Sequence, residues 1–177
     1  KAVARVSEIG YDGLEINCGA DWPTAPHRFD AEDRKKLVDA FRQVGFAPPP
    51  VMNLIGLCAH DENVALKEGV FAATCRLARD LCWLDQPSVV TTILGPQVAP
   101  WELVREDIAE RLRPYIKLAA DHDVILAAEA HVGQEMDNPE KARWLMEHKD
   151  LLVQPDCEAA VPPPPPALIA AYGVRAQ

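Results

Sequence analysis

Four short apolar, β-branched runs begin at residues 13, 51, 88 and 124, so successive starts lie 38, 37 and 36 residues apart. A helical pattern fills each gap. Asp30 can cap a helix over residues 31–44, with Leu37, Val38 and Phe41 on one face and Gly45 as a stop. Residues 62–84 carry Leu66, Val70, Leu77 and Leu81 at helical spacing. Pro100 can open a helix over residues 101–121, where Pro114 is positioned to kink it. A further helical stretch covers residues 139–148, and Leu151-Leu152-Val153-Gln154 reads as a fifth strand. A near-constant unit with a helix in every gap implies parallel strands joined by right-handed crossovers.

Both a doubly wound sheet and a (β/α) barrel satisfy that pattern. No Gly-rich phosphate loop follows any strand run, which argues against the nucleotide-binding doubly wound fold. A complete eight-stranded barrel takes ~250 residues. Five strands in 177 residues are therefore read as an α/β fold of the (β/α) TIM-barrel type, incomplete, over residues 1–157. Lys1 is not an initiator Met, and the expectation is that barrel segments are missing at both ends. Residues 158–177 form a proline-rich tail in which Pro162 to Pro166 reads as a rigid polyproline II segment.

Composition narrows the function. With 18 Lys and Arg against 27 Asp and Glu, the net charge is −9, the wrong sign for tracking nucleic-acid phosphates. No apolar run approaches the roughly 20 residues of a membrane-spanning helix, and no basic-then-apolar leader opens the sequence. The five cysteines form no CxxC pair, and reduced thiols in a cytoplasmic protein are expected. An open barrel leaves strand edges with which a second copy could pair, so a homo-oligomer is one expectation.

Side chains at the carboxyl ends of parallel barrel strands converge on one mouth, where barrel active sites are built. The strand ends here are polar: Glu15 and Asn17, Asn53, Thr92, Glu129 with His131, and Asp156. Glu129 follows five apolar residues and shares a strand face with His131 two positions on. Asp156 closes the neighbouring strand, and carboxylates on adjacent parallel strands, about 4.8 Å apart, could share one divalent cation. Trp22 follows a strand end, where an aromatic ring can cover a sugar face.

The chain resembles the xylose isomerase-like TIM-barrel superfamily, the sugar isomerase and epimerase group. The resemblance rests on Ile9-Gly10-Tyr11-Asp12-Gly13-Leu14-Glu15-Ile16, Leu126-Ala127-Ala128-Glu129-Ala130-His131 and Leu152-Val153-Gln154-Pro155-Asp156, with their order and spacing. It implies one divalent metal (Mn, Mg, Co or Zn), with Glu129 as first ligand and Asp156 as second. It also implies substrate contact by His131 and a pocket or structural role for Glu15. Asn53 and Trp22 complete the candidate substrate-binding set. Family members often carry Asp-x-x-His at the second ligand, whereas Asp156 is followed by Cys157-Glu158-Ala159, and alanine supplies no imidazole.

The implied activity is isomerisation or epimerisation of a small sugar or sugar-like keto acid, by proton transfer through an enediolate, with Glu129 as ligand and base. The last two family ligands have no counterpart here, so the chain by itself is expected to be inactive. Two other readings are a non-catalytic barrel remnant or polyol-binding module, and a metal-dependent hydrolase or lyase on the same barrel.

Overall fold

Helices form where the sequence supplies both an apolar face and an end signal. In the computed structural model, which describes residues 1–60 and 63–148, the order is α1 (Ala2–Ile9), β1 (Ile16–Asn17), α2 (Ala31–Val44), β2 (Val51–Asn53), α3 (Val64–Asp80), β3 (Ser88–Thr92), α4 (Trp101–Asp121), β4 (Val124–Ala128) and α5 (Pro139–Glu147). The Asp30 carboxylate accepts the Asp33 N–H at 2.9 Å to start α2, and Gly45 ends it at φ +78°. Asn138 caps α5 in the same way, accepting from the Lys141 N–H at 3.0 Å with Pro139 in the first turn. Pro114 lies inside α4 without ending it.

The four described strands make one parallel sheet in the order β1-β2-β3-β4. Residues Ile16, Val51, Val90 and Leu126 stand in one register row, and Asn17, Met52, Thr91 and Ala127 in the next. This is the alternating strand and helix order expected of the barrel type, seen as an open sheet rather than a closed one. The expected fifth strand, residues 151–154, and the proline run lie outside the described residues.

Period-two alternation separates the sheet's two faces. Val51, Val90, Thr92, Leu126 and Ala128 point to the helices and are buried. There α3 packs on β2, β3 and β4, and α4 packs on α3 and β4. Phe71 of α3 meets Tyr115 of α4 edge to face at 5.5 Å, in the middle of this layer. Trp101 and Trp144 meet in the same manner at 5.7 Å and dock α5 on α4, with Arg105 stacked over Trp144. At the other end Arg34 donates to the carbonyls of Phe29 and Pro26 and pairs with Asp80, joining α2 to α3.

Two details differ from the sequence expectation. The β1 ladder covers only Ile16–Asn17, because residues 13–15 run up to the sheet without pairing. Helix α1 was not signalled: Lys1 gives it no side-chain cap, although Gly10 closes it in the left-handed conformation at φ +100°.

Candidate functional site at the carboxyl ends of the strands

The opposite, inward face of the sheet carries the candidate chemistry. Glu15, Asn17, Met52, Leu54, Val89, Thr91, Ile125, Ala127 and Glu129 alternate onto it. Its lower layer is apolar: Pro48, Pro50, Pro87, Val89, Ile125 and Ala127 line a cavity of about 240 Å³ at the amino-terminal end. In a barrel this level is filled by side chains of the remaining strands, so the cavity reflects an uncovered core layer and not a ligand site.

Glu129 continues the β4 alternation past the ladder, and its N–H bonds the Thr92 carbonyl at 2.8 Å. That bond fixes the backbone and leaves the half-buried carboxylate to project from the strand end. Thr91 is one level lower on the adjacent strand, and its Oγ1 donates to the Glu15 carboxylate, reaching across β2. Glu15, an exposed residue, therefore sits nearer the amino-terminal end of the sheet than Glu129, held by a hydroxyl that the sequence reading did not single out. From the register, Glu129 lies two residues, ~7 Å, beyond the Thr91 level.

The remaining candidates are placed differently. His131 is exposed, and its Nδ1 lies 2.9 Å from the Val132 carbonyl, so the ring is turned along its own loop. Trp22 is half-exposed beside Leu54 at the mouth; a Cβ on Gly19 would come within 2.8 Å of the Trp22 ring and 3.2 Å of the Leu54 side chain. Asn53 does not reach the mouth. It shares the parity of Val51, is 1 % exposed beneath the loops, and accepts the Ile55 N–H at 3.0 Å. Asn17 also turns inward on its own loop, accepting the Gly19 N–H at 3.0 Å. Asp156 lies outside the described residues.

The loops that frame the mouth are tied to one another. Leu57 and Cys58 donate to Ile93 and Leu94 across the loops after β2 and β3. Gly56 and Gly95 pack backbone on backbone there, so a Cβ on Gly56 would lie 2.8 Å from the Gly95 Cα. Glu135 links the next pair: its N–H bonds the Gly95 carbonyl at 2.7 Å, and its Oε1 accepts the Val98 N–H at 3.0 Å. Sequence spacing gave no sign of this carboxylate, which is 1 % exposed.

Among the described residues no three His, Cys, Asp or Glu side chains gather as a metal-holding set. Glu129 is one oxygen donor at the mouth, and the described residues alone do not amount to a divalent-cation site. What they present is a carboxylate above a hydroxyl–carboxylate pair, with an aromatic and a leucine on the opposite rim. No described helix is long and apolar enough to cross a membrane.

Comparison with known proteins accords with this architecture. A search of curated proteins finds no match. A xylose isomerase-like TIM barrel protein from Mycobacterium smegmatis, crystallised in complex with magnesium, is similar over 84 % of this chain and 51 % of its own, at 15 % identity and a TM-score of 0.56. That likeness is one of fold, and the chain spans about half the length of that protein. The family model described as xylose isomerase-like TIM barrel matches residues 3–157, and the chain belongs to that family.

Proposed function

We propose that the chain is the strand-end portion of a sugar isomerase or epimerase, acting on a small sugar or sugar-like keto acid with help from a divalent cation. The observation that carries the reading is Glu129, a half-buried carboxylate projecting inward from the end of β4 in a chain of this family. When bound, a divalent cation polarises the hydroxyl–carbonyl pair of such a substrate and acidifies the intervening C–H. Glu129 and Asp156 are the donors proposed for it, and Mn, Mg, Co and Zn all suit carboxylate oxygen. The magnesium in the solved relative is consistent with a hard cation.

The chain's own part is proton transfer. Glu129 takes the proton from the hydroxyl-bearing carbon beside the carbonyl and returns it to the former carbonyl carbon, while the hydroxyl proton passes to the former carbonyl oxygen, which converts aldose to ketose through an enediolate. One base on one face suffices for that shuttle. Epimerisation needs a second base on the opposite face, and Glu15 is too low and is engaged by Thr91. Isomerisation is thus the chemistry the described residues favour. His131 and Trp22 are proposed as substrate contacts from the two sides of the mouth, whereas Asn53, turned to the helices, is left out of the set.

Calorimetric titration with Mn²⁺ and proton–deuterium exchange of a ketose in D₂O test this reading. In the longer protein that supplies the remaining family ligands, Glu129→Gln is expected to weaken Mn²⁺ binding at least about tenfold and to abolish exchange at the carbon next to the carbonyl. Equal titrations for wild type and variant overturn Glu129 as ligand. Binding of a sugar without exchange favours the polyol-binding module.

A further inference from the structure

The turn that carries His131 leans on a buried side chain that the proposed chemistry leaves unused. The His131 N–H bonds the Met136 carbonyl at 2.9 Å and the Gln134 N–H bonds the His131 carbonyl at 3.0 Å, so residues 131–136 close into one loop. Two of its backbone groups reach the loop after β3: the Glu135 N–H bonds the Gly95 carbonyl at 2.7 Å, and the Gly133 carbonyl accepts the Gln97 N–H at 3.4 Å. The second of these is long for a hydrogen bond. The Glu135 side chain adds a further tie, its Oε1 accepting the Val98 N–H at 3.0 Å. Glu135 is 1 % exposed, and among the described residues its Oε2 is buried without a hydrogen-bond partner. Glu129 is held differently, by its N–H on the Thr92 carbonyl in continuation of the sheet ladder.

We propose that Glu135 is a positioning residue, fixing the His131 turn through its bond to Val98, so that its loss changes substrate binding and not proton transfer. The inference rests on the reading of His131 as a substrate contact and names what holds that contact in place. One oxygen does the bracing. Oε2 adds nothing to it, so the tie needs an acceptor at the reach of a glutamate and not a charge. An amide of the same length offers that acceptor. Aspartate, one methylene shorter, falls short of the Val98 N–H, and alanine leaves this N–H without its acceptor. Because the sheet holds Glu129, a loosened turn weakens a contact made to substrate and transition state alike, which raises KM and spares kcat.

Two measurements test this on wild type, Glu135→Gln, Glu135→Asp and Glu135→Ala. In this chain, NMR reads the amide exchange and the ring resonances of His131. The His131 N–H keeps its Met136 acceptor in every variant, so a change there reports the turn and not a deleted bond. Glu135→Ala and Glu135→Asp are expected to speed that exchange about tenfold and to shift the ring resonances, while Glu135→Gln stays within about twofold of wild type. In the longer protein that supplies the remaining family ligands, the same two variants are expected to raise KM for a ketose about fivefold, with kcat within about twofold. Unchanged His131 exchange in Glu135→Ala overturns the inference. So does equal acceleration at the Leu126 amide of β4, which reports global loss of stability, or a Glu135→Gln protein that behaves like Glu135→Ala. If Glu135→Ala fails to fold, Glu135→Asp decides. A turn loosened in NMR with KM unchanged overturns His131 as a substrate contact, whereas an undisturbed turn overturns the role of Glu135 alone.

Discussion

The two faces of the sheet carry opposite burdens. On the helix side Val51, Val90 and Thr92 are fully buried, and α3 and α4 lie across them. On the inward side Met52, Val89, Thr91 and Ile125 are only half-buried, and the polar groups of the candidate site rise from the same row. The difference separates folding from chemistry. Burial against helices supplies most of the hydrophobic stabilisation, at about 25 cal/mol for each Å² of apolar surface. The inward face contributes less and is free to carry carboxylates.

Thiols give the largest expected contrast. Burial pushes Cys18, Cys58 and Cys75 up to about 12, and all three belong to the buried helix-side core, while Cys82 lines the inward cavity. An unfolded thiol titrates near 9, so between pH 9 and about 12 the unfolded chain releases protons that the folded one retains. Stability is whole below pH 9 and declines above it, by up to about 1.4 kcal/mol per thiol for each pH unit. Urea melts from pH 8 to 11 check this, and a flat profile refutes it.

Next in size is a pair of neighbours in β4. Leu126→Ala, on the helix face, is expected to cost about 3 kcal/mol through its cavity, and Ile125→Ala, on the inward face, about 1 kcal/mol. Equal losses in chemical denaturation would erase the distinction between the faces. Gly95→Ala sharpens it at the mouth. Gly95 has φ +125°, and an added Cβ would lie 2.9 Å from the Ala59 N, so a loss of about 2 kcal/mol is expected in thermal melts. Asp30→Ala, far from both faces, is the smallest, at about 1 kcal/mol for a lost helix cap.

The sequence revealed most where the signals are local. The bounds of α2 and α4 follow from Asp30, Gly45 and Pro100, and the parallel order follows from the spacing of the runs. The position of Glu129 just past the end of β4 was legible because five apolar residues precede it. Taking the last residues of each strand ignores parity: Asn53 follows Val51 by two and shares its buried face. Thr91 read as one more β-branched residue, since its partner Glu15 is 76 positions away and two strands over. Glu135 escaped for the same reason, its partners being backbone groups of another loop.

The backbone contact between Gly56 and Gly95 has a practical corollary for redesign. Where two main chains touch, there is no room to graft a recognition group, so the sector between β2 and β3 is closed to diversification. Room for new side chains lies instead in the stretch around Trp22 and in the turn holding His131 and Val132, the latter 87 % exposed. A library concentrated on those two stretches would vary the exposed rim without dismantling the frame around Glu129.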